Sequence, residues 1–453
     1  MKQKIAWVCN ECGHQQIKWS GSCIACQQWN TFEKIVEEET EKRFHAPAKP
    51  TKPKKVNEIS VEDFPRFSTG FNEFDRLLGS GVVFGSLNLI GGDPGIGKST
   101  LMLQLSNHFA LLGKKVLYIC GEESEKQTSL RAKRLGVVGD LLYLYSETNF
   151  ANIAAQIEEL KPDVLIVDSI QIVYKPDVPS CPGSVTQVRD VALECMHIAK
   201  GAGITTFIIG HVTKQGELAG PRVLEHIVDT VLEFEGDRRQ GFRMMRMRKN
   251  RFGPTDDLVI FQMTESGLEE VENPSRMFLE ERSQKVPGSV IIPTMEGSRA
   301  FLVEVQALVS SSAFSTSSRK SSGIDQNRLA LLLAVLEKRM GYRFGNLDVF
   351  SSIVGGLKIT EPAIDLGILM AISSSYSNRV LEDDIVFVGE VGLSGEIRSV
   401  PRIEQRIKEA KLIGFKRFVC PKRNVEGIDQ RLTSGLEIIP VQLVEEVVSG
   451  FIG

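Results

Sequence analysis

The chain has 453 residues, 42 % of them apolar and 25 % charged, with a formal net charge of −3 at pH 7. That length exceeds what a single hydrophobic core organises, so two or three domains are expected, and the near-neutral balance means that any nucleic-acid contact must come from local patches. No apolar run approaches membrane-spanning length and Met1–Cys9 lacks the core of a signal peptide, which predicts a cytoplasmic protein without membrane contact.

Four of the eight cysteines fall near the N-terminus, as Cys9-x2-Cys12 and Cys23-x2-Cys26. A reducing compartment disfavours disulfides, and each CxxC turn can present two thiolates to one tetrahedral ion. Residues 1–35 are therefore expected to form a small ribbon around Zn²⁺. Four thiolates close the coordination sphere, which points to a structural ion. All three tryptophans (Trp7, Trp19 and Trp29) lie in this module, whose core is so small that the metal must supply most of its folding energy. The scattered Cys120, Cys181, Cys195 and Cys420 predict buried small side chains. Residues 36–57 pass from the acidic run Glu37–Glu39 to a Pro- and Lys-rich stretch and predict a solvated linker.

Residues 58–273 alternate strand and helix, the pattern of a mainly parallel sheet covered on both faces. An apolar strand, Ser86–Ile90, runs into Gly92-Asp93-Pro94-Gly95-Ile96-Gly97-Lys98-Ser99, followed by Thr100 and a helix with Leu101, Leu105, Phe109 and Leu112 on one face. Strand, Gly-rich loop and helix in that order make a P-loop for a nucleoside triphosphate, read here as ATP. Its glycines let backbone N–H groups cradle phosphate, Lys98 would reach the β- and γ-phosphates, and Ser99 would offer its hydroxyl to Mg²⁺. The strand Lys115–Cys120 ends in Gly121-Glu122-Glu123, where Glu122, with Glu123 as second choice, could orient the attacking water. Val164–Val167 delivers Asp168 to the same metal, a Walker B arrangement. Further strands are expected at Ile204–Gly210, at Phe242–Lys249 with one basic face, and at Leu258–Gln262.

A second globular region is expected over 285–453. Val303–Val309 predicts a strand, Ser310–Ser322 a mobile Ser-rich loop, and Asn327–Glu337 a strong helix.

The P-loop, Tyr118–Ser124 and Val164–Asp168 resemble the RecA-type ATPase core. With Lys249-Asn-Arg-Phe-Gly253 and the four-cysteine module, the whole chain resembles the bacterial RadA (Sms) family of DNA repair proteins. Cys120 stands where that family is expected to carry serine. The resemblance implies an α/β chain with a four-cysteine zinc ribbon, a RecA-like core and a C-terminal Lon-protease-like α+β domain. It also implies a DNA-dependent ATPase and branch-migration helicase that forms a homohexameric ring on single-stranded and branched DNA and works with the RecA recombinase. Within residues 211–226, Lys214 and Arg222 would then contact DNA phosphates from a channel loop. A second such loop would lie between Tyr174 and Arg189, with Lys175. At least one of Lys249 and Arg251 would act across a subunit interface on a neighbour's ATP, and the other could bind DNA.

Residues 348–370 and 389–402 resemble the Lon proteolytic domain, but the nucleophile position holds Asp365 and the lysine position Glu404. Two carboxylates cannot run a Ser-Lys acyl transfer, so this domain implies ring assembly without proteolysis. Lys320, Arg402, Arg406, Lys408 and Lys411 could add a DNA-binding surface there. Two other classes remain, a RecA-like strand-exchange ATPase and a non-motor ATP switch acting on protein partners; an ATP-dependent protease is opposed by Asp365 and Glu404.

Overall fold

A computed structural model describes residues 4–16, 18–37, 64–210, 221–236, 241–255, 257–280, 282, 285–312 and 317–452. The chain divides into two units, Met1–Glu270 and Val271–Gly453. The second unit begins ahead of residue 285, because the helix Pro274–Glu280 packs on its strand Arg299–Ser311.

The first unit opens with a three-stranded antiparallel sheet in which Lys4–Cys9 lies between Gln15–Gln16 and Phe32–Glu37. The last of these strands runs into the expected linker, most of which lies outside the described residues. A nine-stranded sheet follows, in the order Gly267–Glu270, Leu258–Thr264, Phe242–Asn250, Thr230–Glu235, Leu87–Gly92, Thr205–Ile209, Val164–Asp168, Val116–Cys120, Leu142–Tyr145. From Thr230–Glu235 to Leu142–Tyr145 the neighbours are parallel, and the other edge is antiparallel. Alternate residues of the parallel strands enter two separate cores. Ile90, Tyr118, Ile166 and Phe207 pack against Leu101, Leu105 and Phe109, while Leu89, Ile119, Leu165 and Ile208 pack against Ile153, Val188 and Val191. Burial on both faces explains why these strands read as continuous apolar runs.

Helix ends follow local chemistry. Ser124 caps Glu125–Arg134 and closes a capping box with Gln127, and Asn149 and Ser184 cap Phe150–Leu160 and Val185–Ala202. The helix after the P-loop, Lys98–Leu111, buries Leu101, Leu105 and Phe109 as expected, but stops before Leu112, which is half exposed. The expected loop from Tyr174 to Arg189 is shorter, since Val185 onward is helical. The buried Gln187 side chain pins it by donating to the carbonyls of Lys175, Val178 and Ser180 and accepting from Lys175 N. Of the four scattered cysteines, Cys181 is exposed, because it lies in that loop and not in a core.

The second unit is built on a seven-stranded mixed sheet, Arg319–Ser322, Leu347–Ile353, Arg299–Ser311, Ser289–Glu296, Ile385–Phe387, Arg417–Pro421, Glu437–Val441. The Ser-rich segment is thus not all loop: Ser310 and Ser311 extend one strand, and Arg319–Ser322 pairs in parallel with Leu347–Ile353. The helix Asp365–Ser377 is buried for most of its length against the sheet. Gly367 permits this, since a Cβ there would lie 2.0 Å from Ile292 Cγ2. Among the described residues no helix is long and apolar enough to cross a membrane.

Candidate functional site

Parallel strands bring their carboxyl ends together, and loops leaving that end form ligand crevices. Leu87–Gly92 leaves the sheet there at Gly92. Its φ of +145° and the closeness of Phe234, whose Cβ would lie 2.8 Å from a Cβ added at this position, admit only glycine. Gly95 and Gly97 also have positive φ, and Gly97 leads directly into the helix Lys98–Leu111, which carries no acidic residue in its first turn. An uncapped, acid-free helix start beneath a curled glycine loop is an anion site. Lys98 is buried and folds back over the loop, its Nζ donating to the Gly92 and Asp93 carbonyls at 2.7 and 3.0 Å.

A cavity of about 450 Å³ opens beside the loop. Gly95, Gly97, Lys98, Ser99 and Thr100 line it from one side, and Tyr118, Glu122, Glu123, Arg131 and Asp168 from the other. Asp168 ends the strand Val164–Asp168 and is hydrogen-bonded by the side chains of Ser99 and Tyr118, the latter donating from Oη to Oδ2 at 2.7 Å. Burial raises its carboxyl above the ordinary value, and the two hydroxyls offset part of that rise. A hydroxyl and a partly desolvated carboxylate side by side, next to an anion cradle, suit a hard divalent cation such as Mg²⁺.

The two glutamates after Cys120 have separate partners. Glu122 accepts from Ser169 Oγ, one residue beyond Asp168, whereas Glu123 is ion-paired with Arg131. Arg243 does not belong to a solvated basic strand face. It is buried, and its Nε donates to the P-loop carbonyl of Ile96 at 3.2 Å. Its neighbours Arg246 and Arg248 pair with Glu235 and Glu233 on the adjacent strand. Tyr118, Arg131 and Arg243 are site residues that sequence reasoning misses. Their partners are distant in sequence, and only the apolar context of Tyr118 and Arg243, where a polar group needs a partner, carries a signal.

Lys249 and Arg251 lie elsewhere. Register pairs Asn250 with Thr230 and Met245 with Phe234, which in turn pairs with Gly92, so they sit at the opposite end of the sheet from their own P-loop. Five residues of strand make that about 17 Å. Lys249 Nζ donates to the carbonyls of Glu225 and Val228, and Arg251 binds the His226 carbonyl at 3.2 Å and the buried Asp229 at 3.3 Å. Both cations therefore face the carboxyl end of the helix Pro221–Ile227, where the backbone dipole favours them. Burial and the nearby Arg251 lower the Lys249 ammonium below its ordinary value. Lys214 lies outside the described residues; Arg222 is in that helix, its side chain outside them. Lys175 pairs with Glu194 at 2.6 Å.

In the ribbon, the Cys9–Cys26 and Cys12–Cys23 sulfurs are 3.6 and 3.5 Å apart, and all four lie within 4.8 Å of one another. A tetrahedral zinc with Zn–S of about 2.3 Å requires S···S edges of about 3.8 Å, so the set fits. Matching turns build it, with Gly13 N donating to the Cys9 carbonyl and Gln27 N to the Cys23 carbonyl.

In the C-terminal unit, Asp365 is fully buried and held by Arg328, whose Nε lies 2.7 Å from Oδ1, and by Val391 N. Arg406 is not the surface cation that the sequence suggests. It is fully buried, donating to the Pro293 carbonyl at 2.6 Å and paired with Glu361 at 2.6 Å. Glu404, Arg402, Lys408 and Lys411 are exposed.

Residues 58–217 match the AAA domain family, residues 7–34 the rubredoxin metal binding domain, and residues 341–424 the subunit ChlI of Mg-chelatase. The chain is 52 % identical over 447 residues to the DNA repair protein RadA of Chlamydia muridarum, covering 99 % of this chain and 98 % of that one. It is 49 % identical over 457 residues to the DNA repair protein RadA of Bacillus subtilis, covering 100 % and 99 %. Among solved structures, a KaiC-like protein from the archaeon Pyrococcus horikoshii aligns with 46 % of this chain and 99 % of its own at 19 % identity, with a TM-score of 0.40.

Proposed function

Since this chain belongs to the DNA repair protein RadA family, we propose that it is a DNA-dependent ATPase that assembles as a homohexameric ring on single-stranded DNA and drives branch migration of recombination intermediates alongside the RecA recombinase. The observation that carries the reading is the pairing of Ser99 with Asp168 beside the Lys98 loop, the donor set that Mg²⁺-ATP requires. Lys98 would stabilise the β- and γ-phosphates, Ser99 and Asp168 would hold Mg²⁺, which would supply positive charge beside the phosphates, and Glu122 would orient the attacking water.

Lys249 and Arg251 are too far from their own P-loop to assist it, and action on a neighbour's γ-phosphate makes hydrolysis depend on assembly. Because both cations also hold the helix that follows residues 211–220, drawing one of them toward a neighbour's nucleotide loosens that helix. Lys214 and Arg222 then grip or release DNA phosphates in step with hydrolysis. In the C-terminal unit Arg328 neutralises Asp365 at the nucleophile position, which supports a scaffold without proteolysis.

Steady-state ATP hydrolysis by the wild type and Lys98→Ala, with and without single-stranded DNA, tests this. Stimulation by DNA that disappears in Lys98→Ala is the expected result. Hydrolysis indifferent to DNA would overturn the motor reading in favour of an ATP switch acting on protein partners.

A further inference from the structure

Tyr118 has no part in the chemistry above, yet its hydroxyl is at the centre of the site. The residue is only 1 % exposed, in a strand whose neighbours are aliphatic. A buried phenol must find an acceptor, and this one finds Asp168 Oδ2 at 2.7 Å. Register explains the reach: Cys120 pairs with Asp168 and Tyr118 with Ile166, so Tyr118 starts one two-residue step back, about 6.6 Å along the strand, which a phenol side chain spans.

We propose that Tyr118 is a positioning residue for the divalent cation, fixing the rotation of the Asp168 carboxylate so that it faces the Ser99 hydroxyl. The inference rests on the reading of Asp168 as a metal-holding group. Two neutral donors, Ser99 and Tyr118, clasp the carboxylate without cancelling its charge. One cation whose field reaches it, Arg131, is tied to Glu123. Without the phenol hydroxyl the carboxylate is free to turn toward that guanidinium. Partners that orient a metal-holding side chain typically change metal affinity by about 10- to 100-fold.

The test is Mn²⁺ binding to the full chain with ADP, followed by electron paramagnetic resonance, in the wild type, Tyr118→Phe, Asp168→Asn and the double variant. Tyr118→Phe should bind Mn²⁺ about tenfold more weakly, keep wild-type affinity for a fluorescent ADP in EDTA, and add little on top of Asp168→Asn. Unchanged Mn²⁺ affinity in Tyr118→Phe overturns the proposal. So does a parallel loss of ADP binding in EDTA, which marks general disruption of the pocket. If Asp168→Asn itself retains Mn²⁺, the underlying assignment of Asp168 fails as well. Thermal melting checks the fold, and Tyr118→Leu, which also removes the hydroxyl, takes its place should the Phe variant be unstable.

Discussion

Two aspartates, Asp168 half-buried and Asp365 fully buried, divide the molecule's chemistry between them. Asp168 in the first unit and Asp365 in the second are both raised in pKa by burial and both accept hydrogen bonds that offset it. Their partners differ. Asp168 is clasped by two hydroxyls and faces a cavity, so its charge remains available to a cation. Asp365 meets the Arg328 guanidinium with both oxygens and a backbone N–H as well. An arginine cannot be deprotonated, so that charge is permanently cancelled. Burial makes either carboxylate conspicuous; whether its partners are neutral or charged decides if it can do chemistry.

Asp168→Asn should produce the largest effect. Loss of the cation-binding charge is expected to lower ATP hydrolysis by about 10²- to 10³-fold. Removing a half-buried charge raised in pKa by desolvation should leave the melting temperature unchanged or raised. A large fall in melting temperature would make Asp168 a structural residue like Asp365 and break the contrast.

Asp365→Asn should do the reverse, lowering stability by about 3 kcal/mol, the low end for breaking a buried pair because Arg328 keeps 30 % exposure. Nucleotide affinity should not change. Replacing both partners with leucine should recover most of the loss, since a well-packed apolar pair of similar volume is often neutral or stabilising. Denaturant unfolding of the single and double variants reads this directly. Failure of the double variant to recover would mean that the pair does more than fill a core.

Arg406→Met extends the contrast to a residue that reads, in sequence, as a DNA contact. Its guanidinium is buried against Glu361 and Pro293, so the variant should lose about 2 kcal/mol of stability, discounted because Glu361 is partly exposed. Affinity for single-stranded DNA, followed by fluorescence anisotropy, should stay constant. A selective loss of DNA binding would restore the surface reading.

The same contrast separates what the sequence reveals from what it hides. The P-loop is legible because its glycines, Lys98 and Ser99 act within one turn of chain. Asp168 is legible because an acidic residue ending four aliphatic ones has few uses beside a P-loop. The zinc set is legible because CxxC turns are built locally. Arg243, Arg328 and Arg406 are not, since their partners lie 147, 37 and 113 residues away, and a basic residue in a strand or helix reads as a solvated face until its neighbours are known. The segment Ser310–Ser322 misleads for a related reason. Serine carries turn propensity, yet Arg319–Ser322 is an edge strand whose pairing is set by Leu347–Ile353 and not by its own composition.

The smallest predicted effect tests whether one type of site can be turned into the other. Arg131 lines the cavity beside the P-loop but is committed to Glu123, and this pair holds the guanidinium away from the Asp168 carboxylate. In Glu123→Gln that commitment ends, and the guanidinium is drawn to Asp168 as Arg328 is to Asp365. The Glu123–Arg131 pair is partly exposed, so the shift is worth at most about 1 kcal/mol, which corresponds to roughly fivefold weaker Mn²⁺ binding. The double variant Glu123→Gln with Arg131→Gln has no cation to redirect and should regain wild-type affinity. Regain in the double variant would show that the distance between a catalytic aspartate and a structural one is a single misplaced arginine. Equal affinity in all three proteins would mean that the hydroxyls of Ser99 and Tyr118 hold Asp168 in place unaided.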